Sequence, residues 1–169
     1  MKKKFFSYQQ TSLLFISISL CFYLLGYDNF NFSNQSWLIN GDLAQYQLGW
    51  KFYREDFWRF PLGLNPNYGI TNSSSIIYSD SIPLLAIFFK IFRNFLFEDF
   101  QYFSFWIFIC IYLQALLSFK IIYYYTKNTS YSLVSSLFFI FSTILIYRSG
   151  IHLSLTAHWL ILGYFYIQV

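Results

Sequence analysis

The sequence of 169 residues has little of what a water-soluble domain of this size needs. Charged residues make up 11% of it, against 57% apolar and 26% aromatic residues, which leaves too little polar surface for a globule in water. It also has no Gly-rich phosphate loop, no Cys-x-x-Cys pair and no nucleophile elbow. These absences argue against the common nucleotide-binding, zinc-binding and hydrolase motifs, and the composition predicts a membrane protein.

Cysteine is scarce, and the surplus of positive charge is spread out. Cys21 and Cys110 both lie inside apolar runs, where a cysteine behaves as a small hydrophobe, so we assign them no disulfide and no metal. The formal charge is +4, but the basic residues are scattered or stand at the ends of apolar runs. Because no basic face can follow a phosphate backbone, we expect no nucleic-acid partner.

Four apolar runs are long enough to cross a bilayer, which requires about 18 apolar residues. They predict an all-α fold, namely a polytopic transmembrane helical bundle that forms a single transmembrane domain. The predicted spanning helices cover residues 11–27, 100–125, 131–147 and 151–169.

The two ends of the sequence bear on its topology. Lys2, Lys3 and Lys4 precede the first run, and the small residues that a signal peptidase needs do not follow it. We therefore expect an uncleaved first helix with a cytoplasmic N-terminus in the inner (plasma) membrane. The last run reaches Val169 with no polar flank, from which we expect the sequence to be the N-terminal part of a longer chain.

A polar, aromatic-rich loop over residues 28–75 follows the first helix and is expected outside the cytoplasm. Within it, residues 43–58 set aromatic residues at helical spacing opposite charged ones, which predicts a helix in the membrane interface. Residues 60–69 contain two prolines and two glycines and predict tight turns. Such a loop is typical of a functional region or of a structural lid, and Asn65 and Tyr68 are its candidate substrate-binding residues.

The segment 76–97 determines the topology of everything after it. Its apolar core is interrupted at both ends and is too short to cross the hydrocarbon layer, which favours a re-entrant helix. The alternative is a short spanning helix whose charged ends reach the interface. A re-entrant helix puts His152 on the outer face with the long loop, as the positive-inside rule favours, whereas a spanning helix puts His152 on the cytoplasmic side.

Two acidic residues are the candidate catalytic groups. Asp42 follows the first spanning helix and begins the predicted interfacial helix, where a carboxylate can accept a proton from a hydroxyl or hold a divalent cation. Asp80 stands just before an apolar segment, where an unpaired acid is costly. For both residues the alternative is a helix N-cap, which the following helix and Pro83 also suit.

A basic cluster lies between the last two apolar runs. Arg148 and His152 are four residues apart and are candidate binding groups for a substrate phosphate. His152 and His158 are six apart, which is not one helix face, so a zinc site of the His-Glu-x-x-His type is rejected. For His158 we expect a buried hydrogen bond within the bundle.

The order of these features resembles the N-terminal part of the GT-C superfamily of membrane glycosyltransferases. More narrowly, several segments are similar to a bacterial multi-spanning membrane family of unknown function. The segments that carry this narrower similarity are Gly41-Asp42-Leu43-Ala44-Gln45, residues 60–69, Ser79-Asp80-Ser81-Ile82-Pro83-Leu84 and His152-Leu153-Ser154-Leu155-Thr156-Ala157-His158-Trp159.

The GT-C resemblance implies transfer of a sugar from a polyprenyl-phosphate donor to an acceptor at the outer face of the membrane. It implies that Asp42 lies at the reaction centre, that Asp80 is the second acid, and that Arg148 or His152 binds the donor phosphate. Leu43 stands where a second acid would be expected, so no cofactor is certain and a divalent cation stays open. The alternative function is a non-catalytic transporter, flippase-like or structural component of cell-surface glycan assembly.

Overall fold

The chain is mostly helical. The computed structural model describes residues 2–69 and 73–168, and within them seven α-helices and one two-stranded antiparallel ribbon are formed. Three short 3₁₀ turns, at Asp28–Phe30, Ser36–Leu38 and Leu153–Thr156, connect them. The elements are α1 (Lys2–Leu25), α2 (Gly41–Glu55), β1 (Leu64–Asn65), β2 (Ser74–Ser75), α3 (Pro83–Ile91), α4 (Phe103–Thr126), α5 (Thr129–Ile140), α6 (Thr143–Ile151) and α7 (Trp159–Gln168).

The backbone contacts group the chain into two compact units, where the sequence suggested one domain. The first unit consists of Met1–Phe30, Phe103–Gly150 and Leu155–Val169. The second consists of Asn31–Tyr102 together with the short segment Ile151–Ser154. Four residues from the predicted last run therefore belong to the unit that contains the long loop.

Helix α4 is the centre of the first unit and packs against α1, α5 and α7. It buries an apolar face that includes Ile107, Ile111 and Phe119. Within the described residues, two helices are long and apolar enough to cross a membrane, at Tyr8–Leu25 and Phe103–Thr126. At 1.5 Å per residue the second is about 36 Å long, against a hydrocarbon core of about 30 Å. These two helices indicate that the chain associates with a membrane.

The later apolar runs are each divided, where the sequence predicted continuous helices over 131–147 and 151–169. Helices α5 and α6 meet at a bend of 45°. Ser and Thr at the start of α6 explain the break, because their hydroxyls compete for backbone hydrogen bonds and favour helix ends. The second run yields the end of α6, a 3₁₀ turn and α7. A hydrophobicity profile alone does not show where a helix breaks in this way.

Helix α2 forms the core of the second unit. Its aromatic residues Tyr46, Trp50 and Tyr53 are at most 3% exposed. Trp50 packs edge-on against Phe100 and Tyr102, and its indole nitrogen donates to the Phe100 carbonyl at 2.9 Å. The aromatic spacing that predicted an interfacial helix is therefore explained by burial inside this unit. A periodic aromatic face needs an apolar neighbour, and here that neighbour is protein.

The turn-rich loop and α3 complete the second unit. Strand β1 pairs with β2, with Leu64 opposite Ser75, and the Ser75 hydroxyl donates to the Gly63 carbonyl at 2.8 Å. Helix α3 has nine residues and is about 14 Å long, too short to cross a bilayer by itself. Its N-cap is Ile82, without a side-chain capping bond, and Pro83 opens the first turn. Asp80 is therefore not the cap of this helix.

Candidate functional site

The N-terminal end of α2 presents Asp42 to solvent. Asn40 is the N-cap, with extended backbone and no side-chain capping bond, and Gly41 has a positive φ of 55° that glycine adopts easily. Asp42 is therefore in the first helical turn and is not the cap, so the capping alternative for this residue is wrong. A carboxylate in the first turn is stabilised by the partial positive charge of the helix N-terminus.

Asp42 is paired with His152. Its Oδ2 atom lies 3.2 Å from the imidazole Nδ1, and the pair is ionic when the histidine is protonated. The Asp42 side chain is 56% exposed and that of His152 is 32% exposed. An exposed pair of this kind contributes little to folding, because water screens both charges. Both groups are instead accessible to a substrate.

Tyr46 lies one turn after Asp42 and connects the pair to two further groups. Its buried hydroxyl is hydrogen-bonded to Ser154, from the same segment as His152. Burial raises the pKa of Tyr46, the Ser154 hydrogen bond opposes that shift, and the Asp80 and Asp42 carboxylates raise it further. Because both carboxylates act on the same phenol, both predicted catalytic acids lie in the same neighbourhood.

Asp80 is held in this neighbourhood by its two serine neighbours. The Ser81 hydroxyl donates to the Tyr46 carbonyl at 2.7 Å and lies 2.8 Å from the Ser79 hydroxyl. Asp80 itself is exposed and has a φ of 55°, which Asp tolerates better than most residues. The loop approaches α2 so closely that a Cβ at Gly49 would overlap the Ser79 and Ser81 side chains.

Two of the other predicted binding residues, Asn65 and Tyr68, contact later turns of α2, and the third, Arg148, belongs to the first unit. Asn65 is fully buried, and its amide nitrogen donates to the Gly49 carbonyl at 3.0 Å, about two turns along α2 from Asp42. The ring of Tyr68 contacts Phe52 edge-on, with centroids 6.0 Å apart, further along the same helix. Arg148 is on α6 in the first unit and lines a cavity there with Tyr147. The binding roles assigned to these three residues stay predictions.

Comparison with known proteins adds a family but no activity. The model of a domain of unknown function, DUF6311, matches residues 14–169, which is almost the whole chain. The chain belongs to the DUF6311 family. No curated protein and no solved structure matches it. Residue roles in this DUF6311 chain therefore have to be argued from its own geometry.

A second polar cluster of the DUF6311 chain, at the C-terminal end of α2, was missed by the sequence analysis. Asp56 is buried there, and its carboxylate accepts two hydrogen bonds from Arg59, at 2.8 and 3.1 Å. The backbone amide of Phe57 and the side chain of Asn67 also donate to it, at 2.8 and 3.3 Å. The Arg59 hydrogen bond is the main reason why the pKa of Asp56 is lowered.

Lys90, from α3, is buried beside this carboxylate. Its ammonium donates to the Phe57 carbonyl at 3.3 Å and lies 3.9 Å from the centroid of the Tyr53 ring and 5.1 Å from that of Trp58. Burial lowers the pKa of Lys90 to about 8, against the opposing effect of Asp56. The signal in the sequence was a lysine inside an otherwise apolar helix, because a buried lysine needs a polar partner.

The divalent cation that the sequence left open has a simple geometric test. Where the structure describes the chain, no group of three or more His, Cys, Asp or Glu side chains is close enough to hold a metal ion. The Asp42 and His152 pair lacks a third such ligand in those residues. Two ligands of this kind are fewer than protein metal sites usually offer, and the divalent cation stays a prediction.

Proposed function

We propose that this chain is a membrane glycosyltransferase-like protein that transfers a sugar from a polyprenyl-phosphate donor to an acceptor hydroxyl at the outer face of the membrane. The observation that carries the proposal is the contact between Asp42 and His152. It joins a carboxylate able to accept a proton to an imidazole that binds phosphate when it is protonated. The GT-C-like layout of the sequence supports the same reaction class, as an analogy.

In the proposed reaction, Asp42 accepts the proton of the acceptor hydroxyl as its oxygen attacks the anomeric carbon of the donor sugar. The bond between that carbon and the phosphate oxygen breaks, and the polyprenyl phosphate leaves with the electron pair. When His152 is protonated, its Nδ1 side forms an ion pair with Asp42. Its Nε2 proton is then available to the leaving phosphate. Asp80, which is exposed in the same unit, positions the acceptor sugar.

The same contact supports a polytopic arrangement with three crossings and a cytoplasmic N-terminus. The second unit lies between α1 and α4 in the chain, so it is on the outer side if α1 leaves the cytoplasm. For His152 to reach Asp42, the chain must return to that side after α4. Helices α5 and α6, of 12 and 9 residues, are together about 30 Å long and supply that return as a bent span.

The decisive experiment replaces Asp42 with Asn in the protein in its native membrane. The amide keeps the size of the side chain but cannot accept the proton, so we expect loss of the surface glycan, with the amount of inserted protein unchanged. Asp99→Asn is the matched control, since Asp99 is an exposed acid of the same unit outside the site. Normal glycan with Asp42→Asn refutes the transferase and supports the transporter or flippase-like alternative.

The topology is tested with single cysteines in a Cys21→Ala, Cys110→Ala background. Asn94→Cys in the second unit should react with an impermeant maleimide in intact cells. Tyr125, at the end of α4, is 68% exposed, and Tyr125→Cys should react only after the membrane is permeabilised. Labelling of both positions from the same side contradicts the proposed crossings.

A further inference from the structure

The end of α2 remote from Asp42 borders a cavity of about 290 Å³, which is lined by Arg54, Glu55, Arg93 and Asn94. The cavity belongs entirely to the second unit. Arg54 and Asp42 are twelve positions apart on one helix, or about 18 Å. A ligand in this cavity is therefore distinct from a sugar at the Asp42 site.

The two guanidinium groups in the lining carry charge without a carboxylate partner. Within the described part of the chain, Arg54 donates to backbone carbonyls alone, and Arg93 donates through Nη1 to the carbonyls of Arg54 and Asp56. Among residues 2–69 and 73–168, neither has a carboxylate oxygen within 4.0 Å. The carbonyls that fix the Arg54 side chain belong to Arg93, Leu96, Phe97 and Glu98, at distances of 2.7 to 3.3 Å.

These carbonyl bonds orient the guanidinium groups but do not neutralise them. Arg93 makes no further hydrogen bond with the described residues, so its Nε and Nη2 donors are available to an anion. Glu55 in the same lining reduces the formal charge of the cavity to +1. That charge matches a singly charged phosphodiester better than a doubly charged phosphate.

An apolar stripe runs along α3, and its last residue, Phe95, directly follows Asn94 of the cavity lining in the chain. Leu84, Phe88 and Ile91 follow helical spacing, and Phe95 continues it in the turn after the helix. Their exposed fractions are 76%, 51%, 61% and 89%. The opposite face of α3 is buried, at Ala86 and Lys90, so the stripe is the free side of the helix. Helix α4, which is long enough to span a membrane, starts eight residues after Phe95.

We propose that this cavity binds the phosphate of an anionic phospholipid, whose acyl chains lie along the stripe formed by Leu84, Phe88, Ile91 and Phe95. The net positive charge of the cavity favours a phosphodiester headgroup with a net negative charge over a zwitterionic one, and the apolar stripe favours a lipid over a free phosphate. The second unit thereby rests on the membrane surface through α3, with one ordered lipid at its edge.

The test uses the full chain, purified in a non-ionic detergent and titrated with phosphatidylglycerol while bound lipid is followed by native mass spectrometry. Phosphatidylcholine and inorganic phosphate are the comparison ligands. We expect phosphatidylglycerol to bind at least tenfold more tightly than phosphatidylcholine, and inorganic phosphate not to displace it at millimolar concentration. Equal binding of both lipids, or displacement by phosphate at low concentration, overturns the proposal.

Two variants locate the lipid without removing structural bonds. Asn94→Asp adds a carboxylate to the cavity and should weaken phosphatidylglycerol binding about tenfold through repulsion. Asn40→Asp, the matched control, makes the same change at the other end of α2 and should bind normally. Phe95→Ser should weaken binding of the lipid by shortening the stripe. Unchanged binding in Asn94→Asp and Phe95→Ser, with melting temperatures like the wild type, refutes this site.

This inference does not depend on the proposed transferase. Asp42→Asn should bind phosphatidylglycerol as the wild type does, because the two sites lie at opposite ends of α2. Loss of glycan with intact lipid binding supports both ideas. Loss of lipid binding in Asn94→Asp with normal glycan separates the lipid site from the reaction.

Discussion

The two ends of α2 differ in how their polar groups are held. At the C-terminal end, the buried Asp56 and Lys90 have protein partners within hydrogen-bonding distance, and Arg54 reaches four carbonyls. At the N-terminal end, the Asp42 side chain is 56% exposed, that of His152 is 32% exposed, and the two contact each other. Dense, buried polar contacts stabilise a fold, whereas sparse, exposed ones leave groups available for chemistry. Position on one helix thus separates an end with dense, buried polar contacts from an end with an accessible acid and histidine.

The comparison is tested most strongly by the activity of Asp42→Asn. Removing a general base costs about 10² to 10⁴ in rate, so we expect at least a hundredfold loss of sugar transfer from a radiolabelled polyprenyl-phosphate donor. The melting temperature should stay within about 1 °C of the wild type, since an exposed ion pair contributes little. A large fall in melting temperature would make this end structural as well and would break the distinction.

Asp56→Asn should instead lower the stability of the fold. It leaves Arg59 without its charged acceptor. It also places the new side-chain NH₂ group near the N–H donors of Phe57 and Asn67. We expect these changes to cost about 2 kcal/mol of unfolding free energy. Thermal unfolding in detergent measures this. The stability that the lowered pKa of Asp56 confers is present above its ordinary value of 3.8 and is lost as the pH falls through the lowered value. An unchanged melting temperature at neutral pH would show that the polar contacts at the C-terminal end of α2 do not stabilise the fold.

Gly49→Ala tests the close contact between α2 and the loop that holds Asp80. The new methyl group overlaps the Ser79 and Ser81 side chains, so we expect a loss of about 1 to 2 kcal/mol and a displaced Asp80 loop. Gly150→Ala is the matched control, because a Cβ at that helical position would meet no neighbouring side chain within 4 Å and alanine favours helix. Equal melting temperatures for the two variants would contradict the close approach.

The effect of Lys90→Met is seen best in the pH dependence of stability. The folded-state pKa of Lys90 is about 8 and its ordinary value is 10.5, so between these values the unfolded chain binds more protons. Wild-type stability should therefore rise with pH from about 8 toward 10. In Lys90→Met this rise should disappear from melting curves recorded over the same range. A parallel rise in both proteins would assign it to another group.

The sequence predicted the helical class and located the first apolar helix and the one after the long loop. A run of apolar residues can be recognised without knowing what it packs against. The sequence also selected Asp42, Asp80 and His152, which the structure brings into one neighbourhood. It did not reveal Tyr46 and Ser154 as their neighbours. Nothing local connects residues that are more than a hundred positions apart, and helical spacing around Tyr46 suited the interface as well as the core.

Composition and hydropathy by themselves thus determined that this chain is helical and apolar enough to associate with a membrane. Tertiary structure alone decided which polar residues are satisfied and which are accessible. Lysines and aspartates are costly to bury wherever they occur, so only the contacts made after folding distinguish Lys90, enclosed by Tyr53 and Trp58, from Asp42, exposed beside His152. That distinction depends on distances between remote segments, which a linear pattern does not contain.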